Sequence, residues 1–160
     1  MDWGITTAEE RDAGEIMTVQ RAAYVSEAIL YDNTRLSALS EPLEEIRKSV
    51  AAGEVLVAKM GSRIIGAVRG VRKEDECDVG RLVVAPDMQG RGIGAALLRA
   101  VEEHGTEGVR RFVLHTGDRS EANIGLYRKI GYVETHREFV AETLSLVHMA
   151  KPAVIRPVGC

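Results

Sequence analysis

The stretch DMQGRGIGAAL, Asp87 to Leu97, places glycine at every second position: Gly90, Gly92 and Gly94. The residues that follow, Ala95 to Glu103, read as a good helix. Glycine in a helix interior costs roughly 0.5–1 kcal/mol relative to alanine. A helix start loaded with three of them therefore implies that something comes close to the backbone. The first four N–H groups of a helix lack helical partners, and that end carries partial positive charge. Glycines there admit an anion, typically phosphate.

Three phosphate readings stand beside a purely structural one, in which the glycines make a tight strand-to-helix turn. A nucleotide P-loop needs Lys-Ser or Lys-Thr after its last glycine, and Ala95-Ala96 occupies that place. The dinucleotide pattern GxGxxG needs glycine at position 95 or 97, and the sequence has neither. Its ribose-binding acid, about 20 residues on, would fall in the turn around Gly108. A pyrophosphate cradle for coenzyme A is the third reading.

The chain that must position this loop has 160 residues, which predicts one domain with one sizeable core. Apolar residues make up 45% and charged residues 28%, ordinary values for a globular chain. The formal net charge of −3 weighs against a nucleic-acid partner. No apolar run approaches the roughly 18–20 residues that span a bilayer, so no membrane partner is expected. The acidic start MDWGITTAEERDAGE lacks an apolar signal core. Cys77 and Cys160 are far apart, with no metal spacing and no disulfide framework. A cytoplasmic location is the expectation.

Trp3 to Thr6 reads as a short strand. Thr7 to Ile29 has helical periodicity, with Ile16, Val19, Ala23 and Ala28 on one side. Tyr31 to Ser40 is turn-rich. Ser40 is the expected N-cap of a helix with Pro42 in its first turn, running through Leu43, Ile46 and Val50 to a stop at Gly53. Val55 to Ala58 and Ile64 to Val71 read as a hairpin across Met60-Gly61-Ser62-Arg63, and Cys77 to Val84 as a third strand after a charged turn. A helix from Gly92 to His104 follows, then a strand from Arg111 to Thr116. A helix capped by Ser120 runs to Ile130 and ends at Gly131. Tyr132 to Val140 and Thr143 to Met149 complete a hairpin, and residues 152–160 form a loosely held tail beyond a single domain over 1–151. The order β-α-α-β-β-β-α-β-α-β-β fits a mixed sheet with helices on both faces. Cys77 to Thr116 should be a parallel crossover.

Gln89-Gly90-Arg91-Gly92-Ile93-Gly94 resembles the Q/R-x-x-G-x-G/A motif of the GNAT N-acetyltransferase family. NIGLYRKIGY, Asn123 to Tyr132, is similar to that family's second signature, an Asn, then a Tyr, then Gly-aromatic. The resemblance covers Val55 to about Val147 well and the first fifty residues in outline. It implies an α/β (α+β) fold: a mixed, mostly antiparallel sheet of six to seven strands, flanked by about four helices, with a central parallel β-α-β crossover.

It also implies direct transfer of an acetyl group from acetyl-CoA to a primary amine of a small molecule, with no metal. Backbone groups of Leu82, Val83 and Val84 would pair with the pantetheine arm like an added strand where neighbouring strands splay. Gln89, Gly90, Arg91, Gly92, Ile93, Gly94 and Ala95 would hold the pyrophosphate, with Arg91 adding a charge. Asn123 would reach the pantetheine or stabilise the start of its helix. Arg128 and Lys129 would lie near the adenosine phosphate.

A typical alkyl amine has a pKa of about 10, so only about one molecule in a thousand is the free nucleophile at pH 7. A base is useful, and the departing thiolate wants a proton. Tyr127 matches the family's general-acid tyrosine. Asp78 is the expected base, with Glu76 in reserve. Glu134 and His136 are candidate pocket residues, and His115 reads as a satisfied core histidine first and a pocket residue second. Tyr24, Tyr31 and the segment from Asp32 to Ser40 occupy the region that caps the acceptor site in this family. The last two strands predict a sheet edge and a homodimer. A coenzyme A sensor or interaction subunit without catalysis is the alternative class.

Overall fold

The computed structural model describes residues 2–154. Seven strands form one sheet in the order β1-β2-β3-β4-β5-β7-β6. They are β1 (Gly4–Thr7), β2 (Val55–Met60), β3 (Arg63–Lys73), β4 (Glu76–Val84), β5 (Arg111–Gly117), β6 (Val133–Ala141) and β7 (Leu144–Pro152). Five helices accompany them: α1 (Ala13–Leu30), α2 (Ser37–Ser40), α3 (Leu43–Ala51), α4 (Ile93–Glu103) and α5 (Glu121–Ile130). Every neighbouring pair is antiparallel except β4 and β5, which α4 links as the expected parallel crossover.

The sheet is covered on both sides. Arg69 of β3 reaches Glu41, between α2 and α3, while a Cβ on the next residue, Gly70, would press on Val101 of α4. Successive strand residues point to opposite faces, so α4 packs on the face away from α1 and α3. Ile16 and Val19 of α1, Ile46 of α3, and Ile93, Leu97 and Leu98 of α4 are buried against apolar β2 and β3 residues. At about 25 cal/mol per Å² of apolar surface buried, these contacts dominate the stability of the fold.

Local signals misplaced two helix starts: Thr7 belongs to β1, and α1 begins at Ala13. Ser40 ends the single turn of α2, and Pro42 is the N-cap of α3. Proline supplies no N–H, so it loses nothing at a helix start. At the other end β7 extends to Pro152, and the Ala153 N–H donates to the Arg110 carbonyl at 2.8 Å. The expected loose tail therefore does not begin at 152; residues 155–160, Cys160 among them, lie outside the described residues. β6 is the outermost strand and is exposed along almost its whole length.

Candidate functional site

β4 and β5 pair at three positions only: Glu76 with Arg111, Cys77 with Phe112, and Asp78 with Val113. Past that point they diverge. β4 stays bonded to β3 as far as Val84, and β5 stays bonded to β7 along its length. A β-bulge assists the parting: the β3–β4 ladder shifts register between Ala67 and Arg69, and Arg81 has φ +51. Bulges bend a strand and increase its twist. The gap opens into a cleft of about 910 Å³.

Residues 82–84 form one wall of this cleft, with no β5 ladder on that side. Gln89 donates from Nε2 to the Val84 carbonyl at 3.3 Å. Gly90 and Gly92 have φ of +79 and +82, and Gly92 is the N-cap of α4. Those two glycines are thus required by the turn. Gly94 is different. Its φ is ordinary, and a Cβ there would meet Leu126 and Val84 at 3.7 Å, normal contact distance. Nothing in the protein itself demands glycine at that position. The Ala96 N–H bonds to the Gly92 carbonyl at 3.1 Å, so Ile93, Gly94 and Ala95 carry the N–H groups that precede the helical ladder. Gly90, Gly92 and residues 93–95 all line the cleft.

α5 supplies Asn123, Tyr127 and Lys129 to the cleft. Tyr127 is only 7% exposed, and its ring stands edge-on to Tyr132 with centroids 6.1 Å apart. Its hydroxyl makes no hydrogen bond among the described residues. Burial, then the neighbouring Tyr24 and Glu27, push its pKa above the ordinary tyrosine value. It is a neutral O–H at physiological pH. Asn123 donates to Thr116 Oγ1 at 3.5 Å and caps nothing.

Tyr24 and Glu27 of α1, with Tyr31 just after it, line the other side. The Arg119 N–H donates to the Tyr31 hydroxyl at 2.9 Å, which lies 2.6 Å from Ser120 Oγ. Ser120 in turn donates to Glu27 Oε2 at 2.7 Å. Since the serine has one proton, Tyr31 must be the donor to it. This chain takes the hydroxyl expected to cap α5, and Ser120 makes no side-chain cap. A Cβ on Gly117 would collide with the Tyr31 hydroxyl.

Several expected site residues stand elsewhere. Asp78 and Glu76 lie in the short paired region and do not line the cleft; Glu76 is bonded to Arg111 at 3.0 Å. Arg91 is exposed and does not line the cleft, and it lies in electrostatic reach of Asp87. Asp87 is itself gripped by Arg63 through two bonds of 2.6 and 2.9 Å. Glu134 pairs with Arg137 at 2.7 Å and Arg128 at 3.8 Å. His136 stacks on His148, with centroids 4.2 Å apart. Glu134 and His136 sit on the exposed edge strand, outside the cleft.

His115 is no core histidine: it is exposed and lines the cleft, because it points out of β5 where β4 has turned away. Partial burial, with His148 and Arg81 nearby, lowers its pKa against the opposing charges of Asp78 and Glu138. Its imidazole is neutral at pH 7. Cys77 is buried, which with the charge of Asp78 raises its thiol to about 11. Thiolate chemistry is closed to it.

Sequence reasoning missed Arg81 and Glu27, both of which line the cleft, while Ser37 belongs to the expected capping segment and lines it too. Arg81 had a visible signal, the only charge between Val79 and Val84 in an apolar strand. Among the described residues no three His, Cys, Asp or Glu side chains are placed to hold a metal, and no helix is long and apolar enough to cross a membrane.

Residues 20–153 match the model of the acetyltransferase (GNAT) domain. UPF0157 protein YqkA of Bacillus subtilis (strain 168) is 29% identical over 141 residues, covering 86% of this chain. The chain spans 40% of the length of that curated relative. Among solved structures, yncA of Salmonella typhimurium, determined with its cofactor acetyl-CoA, superposes with a TM-score of 0.75 at 20% identity over 100% of both chains. The PaiA N-acetyltransferase of Thermoplasma acidophilum, in complex with coenzyme A, gives 0.72 at 20% identity over 95% of this chain and 99% of its own. These structural likenesses establish a shared fold.

Proposed function

The chain belongs to the GNAT acetyltransferase family, and we propose that it moves an acetyl group from acetyl-CoA directly to a primary amine of a small molecule. The observation that carries this reading is the β4–β5 split: an unpaired strand edge leading to the bare amides of α4, with the Tyr127 hydroxyl in the same cleft. An extended amide-bearing arm fits the strand edge at residues 82–84. A pyrophosphate fits the N–H groups of residues 90–95, and Lys129 supports it with charge. The unforced glycine at 94 fits a ligand that needs room there.

Bound acetyl-CoA supplies an acetyl thioester, whose carbonyl carbon accepts the amine nitrogen while its sulfur departs. Tyr127 gives the hydroxyl proton to that sulfur. Burial disfavours a phenolate at Tyr127, but the same cleft equally disfavours a bare thiolate, so the transfer is not opposed by desolvation alone. One proton of the acceptor ammonium goes to the neutral imidazole of His115, freeing the amine to attack, and the second, lost as the amide forms, returns to the Tyr127 oxygen. Asp78 pairs with Val113, two residues before His115, and so shares its sheet face. From there its carboxylate stabilises the imidazolium that forms, which gives the residue expected as the base a supporting place.

One domain carries all of these groups, and Cys77 as a free thiol suits a reducing cytoplasm. The exposed edge strand β6, with Phe139 73% and Val133 63% exposed, pairs two copies into a homodimer, checked by light scattering. Turnover of acetyl-CoA across a panel of small amines, followed by thiol release, tests the main reading. Tight acetyl-CoA binding with no turnover on any amine would leave a coenzyme A sensor instead.

A further inference from the structure

The acceptor side of the cleft has an unbalanced charge. Arg81 projects from the β4 bulge and lines the cleft. Its Nη1 donates to Ser37 Oγ at 3.2 Å, and its Nη2 lies 3.5 Å from Glu41 Oε2. Glu41 is already committed to another arginine. It receives Arg69 through two bonds of 2.8 Å and Gln20 Nε2 at 3.2 Å. One carboxylate thus faces two guanidiniums, and the second keeps most of its charge. Arg81 Nε is buried without a partner among the described residues. A guanidinium has five N–H donors, and Arg81 uses one in a hydrogen bond within the protein.

The rest of this wall has matching chemistry. Tyr24 lies in electrostatic reach of both Arg81 and Glu27, and its hydroxyl makes no hydrogen bond among the described residues. The exposed Arg35 lines the same side. Glu27, three residues along α1 from Tyr24, brings a carboxylate whose closest partner is the Ser120 hydroxyl. Tyr127 has Tyr24 and Glu27 as its electrostatic neighbours. A cation, a neutral hydroxyl and an anion therefore succeed one another across a single short wall, beside the hydroxyl assigned to the sulfur.

Resting on the acetyltransferase reading, we infer that the acceptor is a small zwitterion, an amine with a carboxylate or phosphate a few bonds from its nitrogen. Arg81 and the Tyr24 hydroxyl hold the anion, and Glu27 draws the ammonium toward the reacting carbon. A plain alkylamine leaves Arg81 with only Ser37 and its share of Glu41, and so does a peptide N-terminus, whose α-carboxyl is an amide. A site built to bond a polar group rejects analogues that lack it.

The test uses the full chain and matched acceptors: glycine, alanine and methionine, the amide of each, an alanyl peptide, and O-phosphoethanolamine against ethanolamine. Thiol release gives kcat/KM for each. The free amino acids or the phosphorylated amine should exceed their neutral partners by about 10- to 100-fold, the range for one hydrogen bond to a charged group. Which of the two anions is preferred identifies the source of the charge. Arg81→Gln should erase the preference, Arg81→Lys should restore part of it, and both keep a side chain that meets the same φ. Tyr24→Phe, a gentler change, should reduce it. Neutral amides or the peptide turned over as well as the acids would overturn the inference, as would a preference that survives Arg81→Gln. If no acceptor turns over, calorimetry of the same acids and amides on coenzyme A-loaded protein decides, and equal binding overturns it. Absence of acetyl-CoA binding in the same titration series would instead fail the acetyltransferase reading.

Discussion

Gly94 separates ligand demand from fold demand, because the protein gives it neither a special φ nor a crowded Cβ. It is the second residue of α4. Alanine there should fold at least as well, gaining up to about 1 kcal/mol of helix propensity. Aspartate should also be tolerated by the fold, since a carboxylate in the first helical turn gains about 0.3–1 kcal/mol from the helix dipole. The same carboxylate would sit where the pyrophosphate is proposed. Two unit charges at about 4 Å repel by roughly 4 kcal/mol at an effective dielectric of 20, and a lost charged hydrogen bond adds about 1.5–3 kcal/mol. Even the smaller of these terms weakens acetyl-CoA binding by about tenfold, and the larger by about a thousandfold. Calorimetric titration with acetyl-CoA, beside urea melts of each variant, reads both quantities. Gly94→Asp should lose binding and keep its melt, while Gly94→Ala should keep both. An Asp variant that binds acetyl-CoA normally would refute the cradle, and one that loses stability would show that glycine serves the fold after all.

Tyr127→Phe keeps the packed ring and removes the hydroxyl. A placed general acid is worth about 10²–10⁴-fold, and since a thiolate leaves fairly well, kcat should fall toward the lower end with KM for acetyl-CoA unchanged. Normal kcat in single-turnover mixing removes the assignment. His115→Asn should flatten the acid limb of the kcat/KM profile. That limb lies below the ordinary histidine pKa, because the native imidazole must lose its proton and its pKa is lowered. Asp78→Asn should shift the limb to lower pH rather than abolish it, as expected when a stabilising negative charge is taken from an imidazolium. Glu41 gives a stability test. Burial alone would raise its carboxyl, but Arg69, Gln20 and Arg81 overcome that and hold it at about 2 against 4.5. A depressed carboxyl stabilises the fold above its unfolded pKa and loses that contribution as pH falls, here across pH 4.5 to 2. At 1.36 kcal/mol per unit this is about 3 kcal/mol. Urea melts should show that slope in the native chain and a shallower one in Glu41→Gln.

What the sequence made legible was short-range. The glycine loop, the crossover around it and the Tyr127 helix depend on residues close in the chain, where propensity and spacing speak directly. The acceptor wall was opaque because it is assembled from distant pieces. Arg69 meets Glu41 across 28 positions, and Tyr31 meets Ser120 across 89. No local pattern encodes such partners. Ser120 shows the conflict plainly: its type and place predict a helix cap, yet a tertiary partner claims the hydroxyl. His115 lines the cleft and Asp78 does not, for a related reason. Alternation gives the face of a strand, but only the point where β4 leaves β5 decides which residue on that face meets the cleft.

The three-residue pairing at residues 76–78 also makes the molecule a pair of jaws. One jaw is the β1–β4 half-sheet with α4; the other is β5, β7 and β6. Each is laced internally along its length, while the ladder between them is three residues long and Glu102 of α4 adds side-chain bonds to Tyr132 and Lys151. A second fastener crosses the mouth, where Tyr31 at the end of α1 clasps Arg119 and Ser120 in front of α5. The cleft is therefore fastened at both ends, by a backbone ladder at its base and by side chains at its mouth.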